Sequence, residues 1–300
     1  MSERTVHLLQ LVSTGTVFFI WAFLLTPFSI RLSERYRIMD APGGRKQHKG
    51  TIPRGSGVVF WVGYLLLALL LFGTIKEIRI IATGATLVFL LGYMDDMKGL
   101  SAGGRLIGHF AASLLVVAFA PFPPLLKVLL LFWIAGGISA FNLIDGMNGL
   151  ALVVFFITTL FGMALGRLLW WVPLGAMALG MFFWNFPVAR TFLGDGGSTL
   201  LGFLCMSQLS MDCGVLFAKT PVPVLFAVLF LIGGVPFIDT AVSILRRLLS
   251  GKSPFTPDRG HIHHRLLDKG VSQTAVLLLL SAAHGLCIAG GYVLLVVAGS

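Results

Sequence analysis

The sequence predicts an all-α, polytopic membrane protein of about ten transmembrane helices, with its polar chemistry gathered in loops at one membrane face. Three observations predict it. Of 300 residues, 57% are hydrophobic and 11% are charged, and mean hydropathy is +0.93, a balance that no water-soluble core of this length carries. The apolar residues run on for about 20 positions at a time, the length a helix needs to cross a bilayer, and do not alternate as barrel strands do. Five polar motifs interrupt the runs: DAPGGRKQHKGTIPR (40–54), YMDDMKG (93–99), NLIDGMNG (142–149), FLGDGGS (192–198) and SPFTPDRGHIHHR (253–265).

The predicted spans are 7–30, 55–73, 77–94, 104–121, 124–142, 147–166, 168–186, 197–213, 220–248 and 273–298, within one integral-membrane domain, 1–300. The first is too long for a secretion signal and no small-residue cleavage site follows it. Span 197–213 is short and rich in Ser and Gly, and its loss would invert everything after it. In span 220–248 the GGVPF sequence breaks the pattern, and Pro236 predicts a kink that frees a carbonyl. Asp239 follows it, either pairing with Arg246 or Arg247 a turn or two on or lining the site; a structural role near the site is favoured. Cys205, Cys213 and Cys287 show no CxxC spacing and read as packing residues, and His109 and His284 as core histidines bonded to a neighbour.

Charge sets the orientation. Sixteen of the 22 Lys and Arg fall in the loops that carry the five motifs, which places those loops in the cytoplasm and both termini outside. The net charge of +10 suits topology, anionic membrane lipids and a polyanionic substrate. Nine of the twelve Asp and Glu lie at the same face, although acidic residues do little to set topology. Asp95, Asp96, Asp145 and Asp195 each sit at a span end beside Gly or Asn. One such Asp is ordinary helix capping; four from different loops point to a divalent cation holding phosphates, since Mg²⁺ takes oxygen ligands from one or two carboxylates and from the phosphates themselves. Glycines around Asp145 and Asp195 allow backbone N–H groups to approach an anion, and serve helix packing equally well. Asp95 and Asp96 are adjacent and point about 100° apart on a helix, so a division of labour is expected, one of them touching metal or a partner cation such as Lys98 or Arg105. Arg105 offers a planar fork to a pyrophosphate. His48, beside Arg45 and Lys46, faces phosphate or headgroups.

The ordered set DAPGGRKQH…PR, MDDMKGL, NLIDGMNGLA, FLGDGGSTLLGF, FIDTAVSILRR and PFTPDRGHIHHRL resembles the polyprenyl-phosphate N-acetylhexosamine-1-phosphate transferase family, over about 36–275. The resemblance implies attack of a polyprenyl (undecaprenyl) phosphate on the β-phosphorus of a UDP-sugar, with Mg²⁺ (or Mn²⁺) as cofactor and UMP as product, in a bacterial inner membrane. It implies Asn142 and Asp195 as metal ligands, Asp95 and Asp96 as the catalytic carboxylate pair, and Arg105 where the family usually carries a pyrophosphate-binding Lys. Asp145 and Asn148 then belong to the nucleotide-sugar site, and Arg259, His261, His263 and His264 to a loop that grips the sugar nucleotide. A second phosphate pKa near 6 leaves the lipid phosphate mostly dianionic at neutral pH, so a general base is optional. Gly55-Ser56-Gly57 departs from the family's usual Gly pair, and the motifs leave the sugar open. The rival readings are a zinc site at the histidines, whose spacing is not a usual ligand set, an inactive membrane scaffold, and a transporter, which would show repeats and mid-bilayer charges. No nucleic-acid partner is expected; a homodimer is compatible with the sequence.

Overall fold

The computed structural model describes residues 2–41, 50–254, 256 and 260–299, so Arg45, Lys46, His48 and Arg259 lie outside the described residues. The chain folds as α1 (Glu3–Arg35), α2 (Gly57–Phe72), α3 (Lys76–Lys98), α4 (Ala102–Phe119), α5 (Pro124–Ile144), α6 (Leu150–Ala164), α7 (Leu168–Asn185), α8 (Gly194–Lys219), α9 (Val222–Leu249), α10 (Ile262–Asp268) and α11 (Gln273–Gly299). Between α1 and α2 a short antiparallel hairpin pairs β1 (Met39–Asp40) with β2 (Ile52–Pro53). Each predicted span falls on one helix, and α10 is an extra turn within the last polar loop. Eight helices are long and apolar enough to cross a membrane, while α2 and α6 are apolar but shorter. The protein is an all-α, multi-pass membrane protein.

Helix ends depart from the hydropathy reading, and they do so at the polar motifs. α3 continues to Lys98, past the expected end at 94; α5 continues to Ile144, past 142; and α8 starts at Gly194 instead of 197. The aspartates of these end turns face other helices, so hydropathy drops before backbone hydrogen bonding does. Asp95, Asp96 and Asn142 therefore stand on helical turns, and Asp195 in the first turn of α8.

The Ser- and Gly-rich eighth span is the centre of the bundle. α8 is buried along most of its length and packs against α2, α3, α5 and α6. Two of its serines satisfy themselves within the helix: Ser207 Oγ donates to the Phe203 carbonyl at 2.6 Å and Ser210 Oγ to the Met206 carbonyl at 2.7 Å. With little hydrophobic drive between helices in lipid, close backbone contact has to do the packing. Gly92 of α3 meets α8 in this way; a side-chain carbon there would come within 2.6 Å of the Asp195 and Gly196 backbone. That crossing sets the last turn of α3 against the first turn of α8.

α9 breaks at Gly234 (φ 62°, ψ −146°), two residues before Pro236. The Val235 N–H donates to His284 Nδ1 at 3.3 Å, and His284 Nε2 lies 3.0 Å from Thr158 Oγ1, so this core histidine ties α6, α9 and α11 together. His109 is likewise a core residue, with Nδ1 at 2.9 Å from Ser139 Oγ. The three cysteines are free and packed among apolar neighbours, Cys287 less deeply than the other two.

The hairpin was not legible from its sequence, because two residues per strand show no alternation. Ser33 Oγ donates to the Arg54 carbonyl at 2.8 Å and the Phe192 N–H to the Pro53 carbonyl at 2.9 Å, which presses Arg54 against the turn before α8. The opposite end of the bundle carries both termini: His7 shares a cavity with Arg167 and Asp212, and Gly299 lies beside Leu216 and Thr220.

Candidate active site

The site begins with the two adjacent aspartates of α3, which the helix points different ways. Asp95 Oδ2 accepts from Arg105 Nη1 at 2.9 Å, and its Oδ1 accepts the Leu100 N–H at the turn into α4. The same Arg105 Nη1 lies 3.4 Å from Asp195 Oδ2, so one guanidinium bridges carboxylates from α3 and α8. Asp96 turns to the start of α8: its Oδ1 accepts the Asp195 N–H at 3.0 Å and its Oδ2 the Gly196 N–H at 3.2 Å. Two free N–H groups at a helix start favour a carboxylate there. The Asp96 side chain is fully buried, with Arg54 Nη1 3.6 Å from Oδ1 and Arg54 Nη2 donating to the Asp96 carbonyl. Gly194 (φ 76°) closes over that carboxylate, and any side chain there would collide with Asp96 Oδ2.

These groups border a cavity of about 540 Å³ at the motif end of the bundle. Its wall includes Asp40, Arg54, Asp96, Arg105, Asn142, Asp145, Asn148, Asn185, Asp195, His264 and Gln273. Asn142 Oδ1 accepts from Ser198 Oγ at 3.0 Å, which holds the amide beside the first turn of α8. Asp145 ends α5, and burial together with the nearby Asp195 and Asp96 carboxylates pushes its carboxyl well above the usual carboxylate range. Asn148 Nδ2 donates to the Pro187 carbonyl at 3.1 Å. Behind it, Asn185 Oδ1 accepts the Gly149 N–H while its Nδ2 donates to the Thr191 carbonyl at 2.8 Å, fixing the α5–α6 turn to the turn before α8.

The structure thus gathers Asp96, Arg105, Asn142, Asp145, Asn148, Asp195 and His264 of the sequence-predicted residues around one cavity, with Asp95 directly behind Arg105. Lys98 is exposed at the end of α3 and, among the described residues, does not line the cavity. His261 and His263 are buried behind His264, ring centroids of His263 and His264 being 4.2 Å apart. His263 sits over Gly146, where a side-chain carbon would come within 2.7 Å of its Nε2, and burial, followed by the neighbouring His264, pushes its imidazole down to about 3. Among the described residues Asp239 joins neither the cavity wall nor a side-chain ion pair with arginine; it bonds His261 Nδ1 at 2.8 Å, the structural role near the site that its position suggested.

Arg54, Asn185 and Ser198 also belong to the site, although spacing alone does not single them out. Each lies in a quoted motif or its flank, the PR of 53–54, the WNFP of 184–187 and the end of FLGDGGS, so the signal was present but not the contact.

A multi-pass helical bundle whose polar cavity combines oxygen donors with a carboxylate-held arginine is a membrane protein with a site suited to a phosphorylated ligand. The sequence comparisons then place the chain in a family: it belongs to glycosyl transferase family 4, whose model matches residues 78–212. The "Probable undecaprenyl-phosphate N-acetylglucosaminyl 1-phosphate transferase" of Bacillus subtilis (strain 168) is 31% identical over 298 residues, covering 91% of this chain and 82% of that one. The "Undecaprenyl-phosphate alpha-N-acetylglucosaminyl 1-phosphate transferase" of Yersinia pestis is 28% identical over 88% of this chain and 79% of its own. The protein of that name from Escherichia coli (strain K12) is 26% identical over 91% and 81%.

Proposed function

We propose that this chain transfers an N-acetylhexosamine-1-phosphate from a UDP-sugar to polyprenyl phosphate, releasing UMP and starting a lipid-linked glycan in a bacterial inner membrane. One observation carries the reading: Arg105 is held by Asp95 and Asp195 at the wall of a cavity that Asn142, Asp145 and Asn148 also enter. The names of the relatives make N-acetylglucosamine the first sugar to test. The concentration of Lys and Arg in the motif loops favours a cytoplasmic site with both termini outside.

In the reaction an oxygen of the lipid phosphate attacks the β-phosphorus of the UDP-sugar, and the bond from that phosphorus to the oxygen bridging to the α-phosphate breaks, so UMP departs with that oxygen. The nucleophile is already ionised near neutral pH, so the protein's task is positioning and charge stabilisation. Arg105 presents its guanidinium to the pyrophosphate, and Asp95 keeps it there. Asp96 acts on the start of α8, fixing Asp195. Asp145, Asn148 and His264 hold the nucleotide-sugar end. The oxygen donors fit Mg²⁺, or Mn²⁺: Asn142 Oδ1, oriented by Ser198, retains a second lone pair, and Asp195 supplies a carboxylate. Among the described residues no three His, Cys, Asp or Glu side chains group to hold a metal unaided, which suits an ion that leans on its substrate's phosphates. Asn142 and Asp195 would hold the ion, which when bound neutralises phosphate charge.

The test is UMP release by purified protein in detergent, given undecaprenyl phosphate, Mg²⁺ and a panel of UDP-N-acetylhexosamines. Lipid-dependent release from one sugar, abolished by EDTA and restored by Mg²⁺, is expected. Silence across the panel would contradict the proposal.

A further inference from the structure

The three histidines of the last polar loop do not share one environment. His261 caps α10, is 5% exposed, and has both ring nitrogens engaged within the fold. Its Nδ1 lies 2.8 Å from Asp239 Oδ2, with Ser243 Oγ at 3.4 Å, and its Nε2 lies 3.5 Å from Arg247 Nη2. A guanidinium only donates, so Nε2 is the acceptor and Nδ1 carries the proton that goes to Asp239. Asp239, 1% exposed, accepts with its other oxygen from the Ile262 N–H at 2.7 Å. One carboxylate on α9 therefore fixes both the capping side chain and the first backbone N–H of α10. Arg247 braces the same corner by donating to the Pro254 carbonyl at 2.7 Å.

What α10 carries gives this anchor its consequence. His263 packs over Gly146 in the α5–α6 turn, and His264, one residue on, reaches the cavity wall beside Asp145 and Asp195. Movement of the α10 start would shift both rings together, whereas Arg105 and the α3–α8 crossing are anchored elsewhere.

We infer that Asp239 and His261 are positioning residues for the nucleotide-sugar end of the reaction, acting through α10 on His264 and touching no substrate. The inference rests on the transferase reading above and refines it: His261 leaves the set of residues in contact with the sugar nucleotide, and Asp239 enters as the residue that sets the loop. A carboxylate is required and not merely a polar group. An amide at 239 would keep the Ile262 bond, but it would put an N–H against His261 Nδ1 or leave the Arg247 and His261 donors opposed.

The experiment is a double-mutant cycle on UMP release, with KM measured separately for the UDP-sugar and for undecaprenyl phosphate in wild type, Asp239→Ala, His261→Ala and the double variant. Each single variant is expected to raise KM for the UDP-sugar about tenfold, the scale of a lost buried hydrogen bond to a charged group, with KM for the lipid within about twofold. The double variant is expected to be no worse than the poorer single one. Additive losses, or equal rises in both KM values, would overturn the inference. Asp239→Asn, close to isosteric, serves where the alanine variant fails to fold, and is expected to fall between wild type and His261→Ala. Hydrogen exchange over residues 260–268 supplies a readout that needs no turnover. Faster exchange in Asp239→Ala or Asp239→Asn is expected, and unchanged exchange would overturn the anchor even if the protein proved inactive on every UDP-sugar, which would refute the transferase reading instead.

Discussion

Two cavities at opposite ends of the bundle are of similar size, about 540 Å³ at the motif end and about 570 Å³ at the end that carries the termini. Each contains a buried carboxylate and an arginine, and their difference lies in what those groups are attached to. At the terminal end Asp212 accepts from Trp171 Nε1 at 2.8 Å and Gln208 Nε2 at 3.1 Å, with Arg167 Nε at 3.6 Å. Those donors come from α8 itself and from the start of α7, so the Asp212 network is a strut between two helices; His7 and Glu77 also line this cavity, and most of the remaining wall is apolar. At the motif end, polar side chains arrive from the β1–β2 hairpin, α3, α4, α5, α8 and α10, far apart in sequence. Volume and a buried charge do not distinguish a site from a strut; convergence of separate elements on one point does.

The sharpest way to break that contrast is Arg105→Ala, expected to lower kcat/KM for UMP release about 10²- to 10³-fold, with Arg105→Lys recovering part of the loss. An unchanged rate would reduce this cavity to the standing of the other. Asp96→Ala should act next most strongly and on two readouts. It strips the Asp195 and Gly196 N–H groups of their acceptor, so a stability loss of about 1–3 kcal/mol, followed by thermal unfolding in detergent, should accompany slower turnover. At the terminal end Asp212→Ala should show the stability loss alone, of similar size, with turnover within about twofold; a large rate loss would mean the strut is part of the machinery. The smallest effect is a pH response in α10. His263 is held neutral, with a folded value of about 3 against 6.5 unfolded, so the unfolded loop binds the extra proton and the α10 arrangement loses stability as pH falls through that window. Exchange protection over 260–268, taken relative to the intrinsic amide rate at each pH, should fall from pH 7 to pH 5, and unchanged protection would show that His263 is not confined over Gly146.

How far the sequence revealed this contrast depended on what each signal measures. Among the described residues, hydropathy found the eight long helices and the shorter α2 and α6, because runs of apolar side chains are what it reports. It cut α3, α5 and α8 short at the motif end, since Asp95, Asp96 and Asp195 are helical yet turned into the protein. It doubted α8 because Ser and Gly lower the score, although in a helix buried among helices those residues allow the Gly92–Gly196 contact. Motif order brought the candidate residues to one end, but one-dimensional spacing said nothing about which of two adjacent aspartates would cap α8. It also gave His261, His263 and His264 one role, where the fold gives His261 to Asp239 and only His264 to the cavity wall. Asn185, which ties two turns together, was hidden in an aromatic flank because its partners are backbone groups.

The most direct measurement of the central claim compares UMP release by wild type, Asp195→Ala and Asp212→Ala under the same lipid, UDP-sugar and Mg²⁺ conditions, with folding of each variant verified by size exclusion. Release lost in Asp195→Ala and retained in Asp212→Ala is the expected result. Full activity in Asp195→Ala, or its loss only in Asp212→Ala, would place the chemistry at the other end of the bundle or nowhere in it.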